Sequence, residues 1–264
     1  MTPPFPTTPT HAYVRSLYDR LYATYGPQHW WPGDGPFDVI VGAILTQNTN
    51  WTNVEKALDA LRNADVRSFK AIHGTERDDL ADLIRPSGYF NQKARKLHEF
   101  AALVENDFNG NLDQLLDLPM DDLRTTLLGI WGIGEETADD IVLYAADKPS
   151  FVIDTYTRRI VDRLGWRVEG VRYRDYQSLF TERLPSDATL FNEYHALLDE
   201  HASAVCRPTP RCDKCCLQDI CATGTYAPSP RWERPMRIKA EGGQGAPEHR
   251  STTCHPEPEA KSLS

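Results

Sequence analysis

The sequence predicts an all-α protein built of many short helices. Three observations carry this. Apolar residues recur at helical spacing: Val54, Ala57, Leu58 and Leu61, then Ala138, Ile141, Val142 and Ala145, then Leu190, Phe191, Tyr194, Leu197 and Leu198. Strand-like alternation is absent over any useful length. The periodic segments are separated by short breaks rich in Gly, Pro, Asn and Asp, such as RPSGYFN and LGIWGIG, and no internal repeat is found.

Composition sets the outer bounds. A chain of 264 residues, 40% hydrophobic and 25% charged, has room for a sizeable core and the make-up of an ordinary globular protein. No run approaches the roughly 18 apolar residues that suggest a membrane span. The start, MTPPFPTTPTHAYVR, has neither the charged nor the apolar part of a signal peptide. The expectation is a cytoplasmic monomer away from membranes, where disulfides are rare and clustered cysteines more often bind metal. Residues 1–9 are rich in Pro and Thr, and 227–264 in Pro, Gly and charge. Both ends are expected to be disordered, because they bury too little to offset their ordering entropy.

The net charge of −9, from 29 Lys+Arg against 38 Asp+Glu, argues against a protein that coats DNA without specificity. It leaves room for one that grips a few phosphates locally, since the local field matters more than the total.

The first informative stretch runs from Leu128 to Asp139. A helix over about Met120 to Leu128 stops, Gly132 and Gly134 turn the chain, and an amphipathic helix follows. Glycines let the backbone turn sharply and approach a ligand closely. The new helix presents unpaired N–H groups and a positive dipole end, a phosphate site that requires neither Lys nor Arg. A plain connection between two helices fits the same residues.

Cys206, Cys212, Cys215 and Cys221 are spaced C-x5-C-x2-C-x5-C inside sixteen residues. Four thiols so close can converge on one metal centre. A structural zinc or a set of unligated thiols also fits, although zinc sites more often pair two short hooks and only one is present. Cys216 and Cys254 are read as bystanders. Asp154, in PSFVID-TYTRRIVDRLGW, precedes a helix and suits its N-cap. A carboxylate held there by helix N–H groups can also steady an oxocarbenium-like transition state when a bond between sugar and base breaks.

In order, hairpin, aspartate and four-cysteine loop, these features resemble the endonuclease III (helix-hairpin-helix glycosylase) superfamily over roughly His11 to Tyr226. Leu45-Thr46-Gln47-Asn48-Thr49 looks like the loop whose glutamine fills the gap left by a flipped base. Ser87-Gly88-Tyr89-Phe90-Asn91-Gln92-Lys93-Ala94 is similar to the turn before a barrel helix, and Leu118-Pro119 also fits. The resemblance implies a six-helix barrel with the helix-hairpin-helix over 37–148, and an iron–sulfur lobe from both chain ends, 10–36 and 149–226. It implies a [4Fe-4S] cluster on Cys206, Cys212, Cys215 and Cys221, damaged double-stranded DNA as partner, and Asp154 as the catalytic carboxylate. Gln47 and the hairpin residues Gly132, Ile133 and Gly134 would contact DNA.

One departure matters. In bifunctional endonuclease III the hairpin reads L-P-G-V-G-x-K, and the lysine attacks the sugar. Glu136 stands at that position here, eighteen residues before Asp154 as in the family. A carboxylate cannot form an imine, so lyase chemistry loses its nucleophile unless Lys93 or Lys148 substitutes. The hairpin, with Trp30-Trp31-Pro32 and TQNTNW, looks most like the 3-methyladenine DNA glycosylase III branch, where positions matching Trp31 and Trp51 sandwich the flipped purine. The expectation is a monofunctional glycosylase for alkylated purines. The alternatives are an endonuclease III-type enzyme for oxidised pyrimidines with lyase activity, or a non-catalytic iron–sulfur module that binds lesions.

Overall fold

Short capped helices follow one another with little chain between them. The computed structural model describes residues 7–226. Helices α1 (His11–Tyr25), α2 (Pro36–Leu45), α3 (Trp51–Asn63), α4 (Phe69–Gly74), α5 (Arg77–Leu83) and α6 (Phe90–Asp107) come first. Then come α7 (Leu112–Leu116), α8 (Met120–Leu128), α9 (Glu135–Asp140), α10 (Thr155–Leu164), α11 (Tyr173–Thr181), α12 (Ala188–Ala204) and α13 (Ala222–Tyr226). Local chemistry sets many of the starts. The side chains of Thr10, Asn50, Ser68, Asn111, Asp154 and Asp187 each accept a hydrogen bond from the first turn of the helix they precede.

Two groups of buried side chains form the interior. One is centred on α2, whose residues from Asp38 to Leu45 are all buried, with the inner faces of α3, α6 and α8 and the hairpin residues Ile130 and Ile133 against it. A helix apolar nearly all round belongs inside others. The second joins Val14, Leu17 and Leu21 of α1 to the segment Phe151–Ile153 and to α10, α11 and α12. Phe151 stacks on Phe180 with centroids 4.1 Å apart. The predicted stripe of α3 is buried throughout, and that of α12 is buried except for half-exposed Leu190.

A buried polar knot fixes the approach to residue 154. Asp139, fully buried, takes Arg124 Nε at 2.8 Å and Nη2 at 3.1 Å, Ser150 Oγ at 2.6 Å and Gln177 Nε2 at 3.1 Å. Gln177 also donates to the Phe151 carbonyl, and the Ile153 amide donates to the Tyr173 hydroxyl. Residues 150–154 are thus tied to α8, α9 and α11 without any strand partner.

The expected fold class is corrected in part. The described residues are all-α, as predicted, but they form neither a sheet nor a barrel, and no iron–sulfur lobe is present among them. No group of three or more Cys, His, Asp or Glu among the described residues is arranged to hold a metal ion. The [4Fe-4S] cluster expected on Cys206, Cys212, Cys215 and Cys221 therefore does not fit. These thiols line one cavity of about 20 Å³, and three of them are engaged with protein groups. Cys206 Sγ takes Arg163 Nη1 at 3.2 Å, and Cys221 Sγ donates to the Arg163 carbonyl at 3.1 Å. The Leu217 amide donates to Cys215 Sγ, and burial pushes the Cys215 thiol up to about 12 and raises that of Cys221. Metal ligation requires thiolates, and burial favours the thiol form at Cys215 and Cys221. Close spacing brought the cysteines together without making them a ligand set. Residues 227–264, expected to be disordered, and Cys254 lie outside the described residues. Of the expected loose start, Pro9 is buried and its carbonyl accepts from Arg183 Nε at 2.9 Å.

Candidate functional site

The hairpin between α8 and α9 needs glycine at one position more than the other. Gly132 has φ +82°, a left-handed conformation, and a Cβ there would meet Lys96 Cε at 2.7 Å. Gly134 is extended and has open space around it, so it serves as a side-chain-free start to α9. Ile133 between them is buried in the core, which leaves its backbone as the part able to meet a ligand. Trp131 at the tip is 42% exposed, and the Arg95 guanidinium lies 3.7 Å over its ring.

Gln47, just beyond α2, is held against this hairpin. Its Nε2 donates to Thr137 Oγ1 at 2.6 Å, and its Oε1 accepts from Lys96 Nζ at 2.5 Å. Lys93 and Lys148 are also engaged. Lys93 is buried and donates to the Leu45 and Ser87 carbonyls at 2.9 and 2.6 Å, while Lys148 Nζ donates to the Leu116 carbonyl. Burial lowers Lys93 to about 8, yet its nitrogen is held by two backbone acceptors.

Asp154 caps α10, with the Thr157 amide donating to Oδ1 at 2.6 Å. Among the described residues, Oδ2 takes no hydrogen bond. Three further carboxyls gather round it: Glu136 and Asp140 of α9 and Asp199 of α12 all feel its charge. Glu136 is open to solvent as a residue but crowded by protein at its carboxyl. Desolvation first, and the Asp154 charge second, push it up to about 7. Burial raises Asp140 well above the ordinary carboxylate range, and Asp199 rises to about 6. A carboxyl whose proton affinity is raised by burial is the kind of group that does acid–base work in glycoside hydrolysis. Nothing in the local sequence marks Asp140, Asp199 or the packing that tunes Glu136.

Trp31 and Trp51 stand edge to face with ring centroids 5.4 Å apart, and Trp30 completes a cluster that the tryptophan pair alone did not suggest. Trp31 also lies 5.2 Å from Tyr144, and its Nε1 is buried without a partner. Sandwiching a base requires parallel rings about 7 Å apart, two van der Waals spacings, so a base enters between these two only if one ring turns. Tyr144 sits on a π-helical turn, Ile141–Ala145, which continues α9. Such turns are frequent at functional sites.

Comparison with known proteins shows the family. Residues 41–186 match the HhH-GPD superfamily of base excision DNA repair proteins. A provisionally named DNA repair glycosylase of Methanocaldococcus jannaschii is 40% identical over 79% of this chain and 95% of its own. Endonuclease III of Sulfolobus acidocaldarius is 32% identical over 70% of this chain and 81% of its own. Among solved structures, H. pylori 3-methyladenine DNA glycosylase bound to 1,N6-ethenoadenine is 29% identical, with a TM-score of 0.63, over 71% of this chain and 96% of that one. Fold and matches together define a base-excision-repair DNA glycosylase. The chain belongs to the HhH-GPD superfamily, the endonuclease III-like glycosylases. No helix among the described residues is long and apolar enough to cross a membrane.

Proposed function

We propose that this glycosylase hydrolyses the bond between a flipped base and its sugar with two carboxyls. Asp154 steadies the positive charge that grows on the sugar, and Glu136 takes a proton from the attacking water. The water oxygen bonds to the sugar carbon, the base departs with the bonding electrons, and the released proton rests on Glu136. The observation that carries this reading is a carboxyl tuned to neutrality beside the carboxylate that caps α10. Gln47 fills the gap in damaged double-stranded DNA, the backbone of Gly132, Ile133 and Gly134 holds a phosphate, and Trp31 and Trp51 line the base pocket. Base release should therefore rise with pH through about 7, about tenfold per unit below that, because a base must be ionised to act. Glu136→Gln is expected to lower the rate by about 10²–10⁴-fold and to abolish that limb. A wild-type profile in this variant contradicts the assignment.

For substrate, endonuclease III-type action on oxidised pyrimidines is the better supported class, because curated relatives of this chain carry that enzyme's name. Alkylated purines, as in the 3-methyladenine DNA glycosylase III branch, are a second reading. The H. pylori 3-methyladenine enzyme favours it, as does a site rich in carboxyls and tryptophan, which suits a cationic base. Base release from a thymine glycol duplex and from a 3-methyladenine duplex separates the two. A non-catalytic lesion binder would release neither base. Lyase chemistry requires an amine at the sugar. Glu136 occupies the lysine-equivalent position, and Lys93 and Lys148 are tied to backbone carbonyls. Borohydride treatment on an abasic-site duplex is expected to trap no covalent adduct, and a trapped adduct would restore the bifunctional reading.

A further inference from the structure

Beside Asp154 lies a buried pair that the chemistry above does not use. His195 on α12 is 8% exposed, and its Nδ1 is 2.5 Å from the Tyr144 hydroxyl. Its other nitrogen, Nε2, is buried with no hydrogen-bond partner and stands 3.9 Å from Asp154 Oδ1. Burial keeps the Tyr144 phenol protonated and the His195 imidazole neutral. A phenol can donate to Nδ1 or accept from it, but only the tautomer with its proton on Nε2 turns an N–H rather than a lone pair toward the Asp154 carboxylate, and in that tautomer the phenol donates to Nδ1. A buried N–H with no acceptor is costly, so a nearby carboxylate is a strong draw. The gap exceeds a hydrogen bond by about 1 Å, which a small turn of either side chain closes.

We propose that His195 is a positioning residue for Asp154, with the Tyr144 hydroxyl fixing its orientation and tautomer. The Nε2–H closes on Oδ1 when the site is filled. With the Thr157 amide already on that oxygen, Asp154 is locked so that Oδ2 alone faces the sugar. Tyr144 also packs on Trp31, so occupation of the tryptophan cluster is felt at the hydroxyl that steers His195.

This inference rests on the reading of Asp154 given above, and its test separates the two. Single-turnover base release is measured on the thymine glycol and 3-methyladenine duplexes. Binding is measured on a duplex carrying a tetrahydrofuran abasic analogue. His195→Leu should slow release by about 10–100-fold, the scale set by misplacing a reacting group by about 1 Å. Binding should stay within about twofold. His195→Gln restores an N–H donor at similar reach and should recover most of the rate, while Tyr144→Phe, which keeps the ring, should lose several-fold. In an Asp154→Asn background, His195→Leu should add no further loss. Equal losses in the Leu and Gln variants, a parallel loss of binding, or an additive effect overturns the proposal. If Asp154→Asn is inactive while His195→Leu releases base at the wild-type rate, only the positioning role falls. If Asp154→Asn is fully active, the reading of Asp154 itself falls.

Discussion

Asp154→Asn is expected to slow base release by about 10³-fold while leaving the fold and duplex binding nearly unchanged, because a fixed charge aimed at a developing opposite charge contributes on that scale. The substitution is informative because asparagine caps helices about as well as aspartate. The side-chain amide oxygen of the variant still accepts from the Thr157 amide, α10 still starts where it did, and only the negative charge is lost. Alanine would confuse the two effects by removing the cap as well. Thermal melting should therefore hardly move, tetrahydrofuran-duplex affinity should hold, and the loss should appear in the single-turnover rate. A variant that releases base at the wild-type rate removes the electrostatic role and returns residue 154 to a cap alone.

The largest effect on stability is expected at Asp139. Asp139→Ala leaves Arg124 facing a hole, and Ser150 and Gln177 each lose an acceptor. Breaking a buried pair by removing one partner costs about 3–5 kcal/mol, and Arg124, a quarter exposed and with Glu135 at 3.7 Å, puts this case at the lower end. For a chain of this size that corresponds to a fall in melting temperature on the order of 10 °C. Asp139→Asn, which keeps acceptor and shape, should lose clearly less. If the alanine variant unfolds at the wild-type denaturant midpoint, this cluster is not what holds residues 150–154 in place. Activity should fall with stability, because those residues deliver Asp154 to the site.

What could be read from the chain beforehand was local. The bounds of α8, Met120–Leu128, followed from the glycines after it, and Asp154 as a cap followed from the helical pattern it precedes. The stripe of α3 was legible because periodicity alone decides which face is buried. The Asp139 cluster was not legible, because its partners at 124, 150 and 177 lie on separate elements with no shared spacing. The same holds for His195 and Tyr144, which meet only because α12 packs against the π-helical turn. Glu136 drew notice only through the motif position it shares with the family's lysine, and its tuning depends on surroundings that no motif records. The cysteines show the opposite failure. Sequence nearness placed them round one cavity, but ligation also depends on where each sulfur points and on what else it bonds, and spacing is silent on both.

Gln47 is clamped in the resting protein, with Thr137 holding one end of its amide and Lys96 the other. On its proposed role, the clamp works as a latch. An undamaged duplex sliding past would offer nothing to replace those two bonds, so the glutamine would stay on the hairpin and the stack would stay closed. A site where pairing is already weak opens a vacancy that can take the amide, and release then becomes favourable only there. The enzyme would in that way sample long stretches of sound DNA without prising them apart, and Lys96, whose stem packs on Gly132, would sense the phosphate grip and the wedge together.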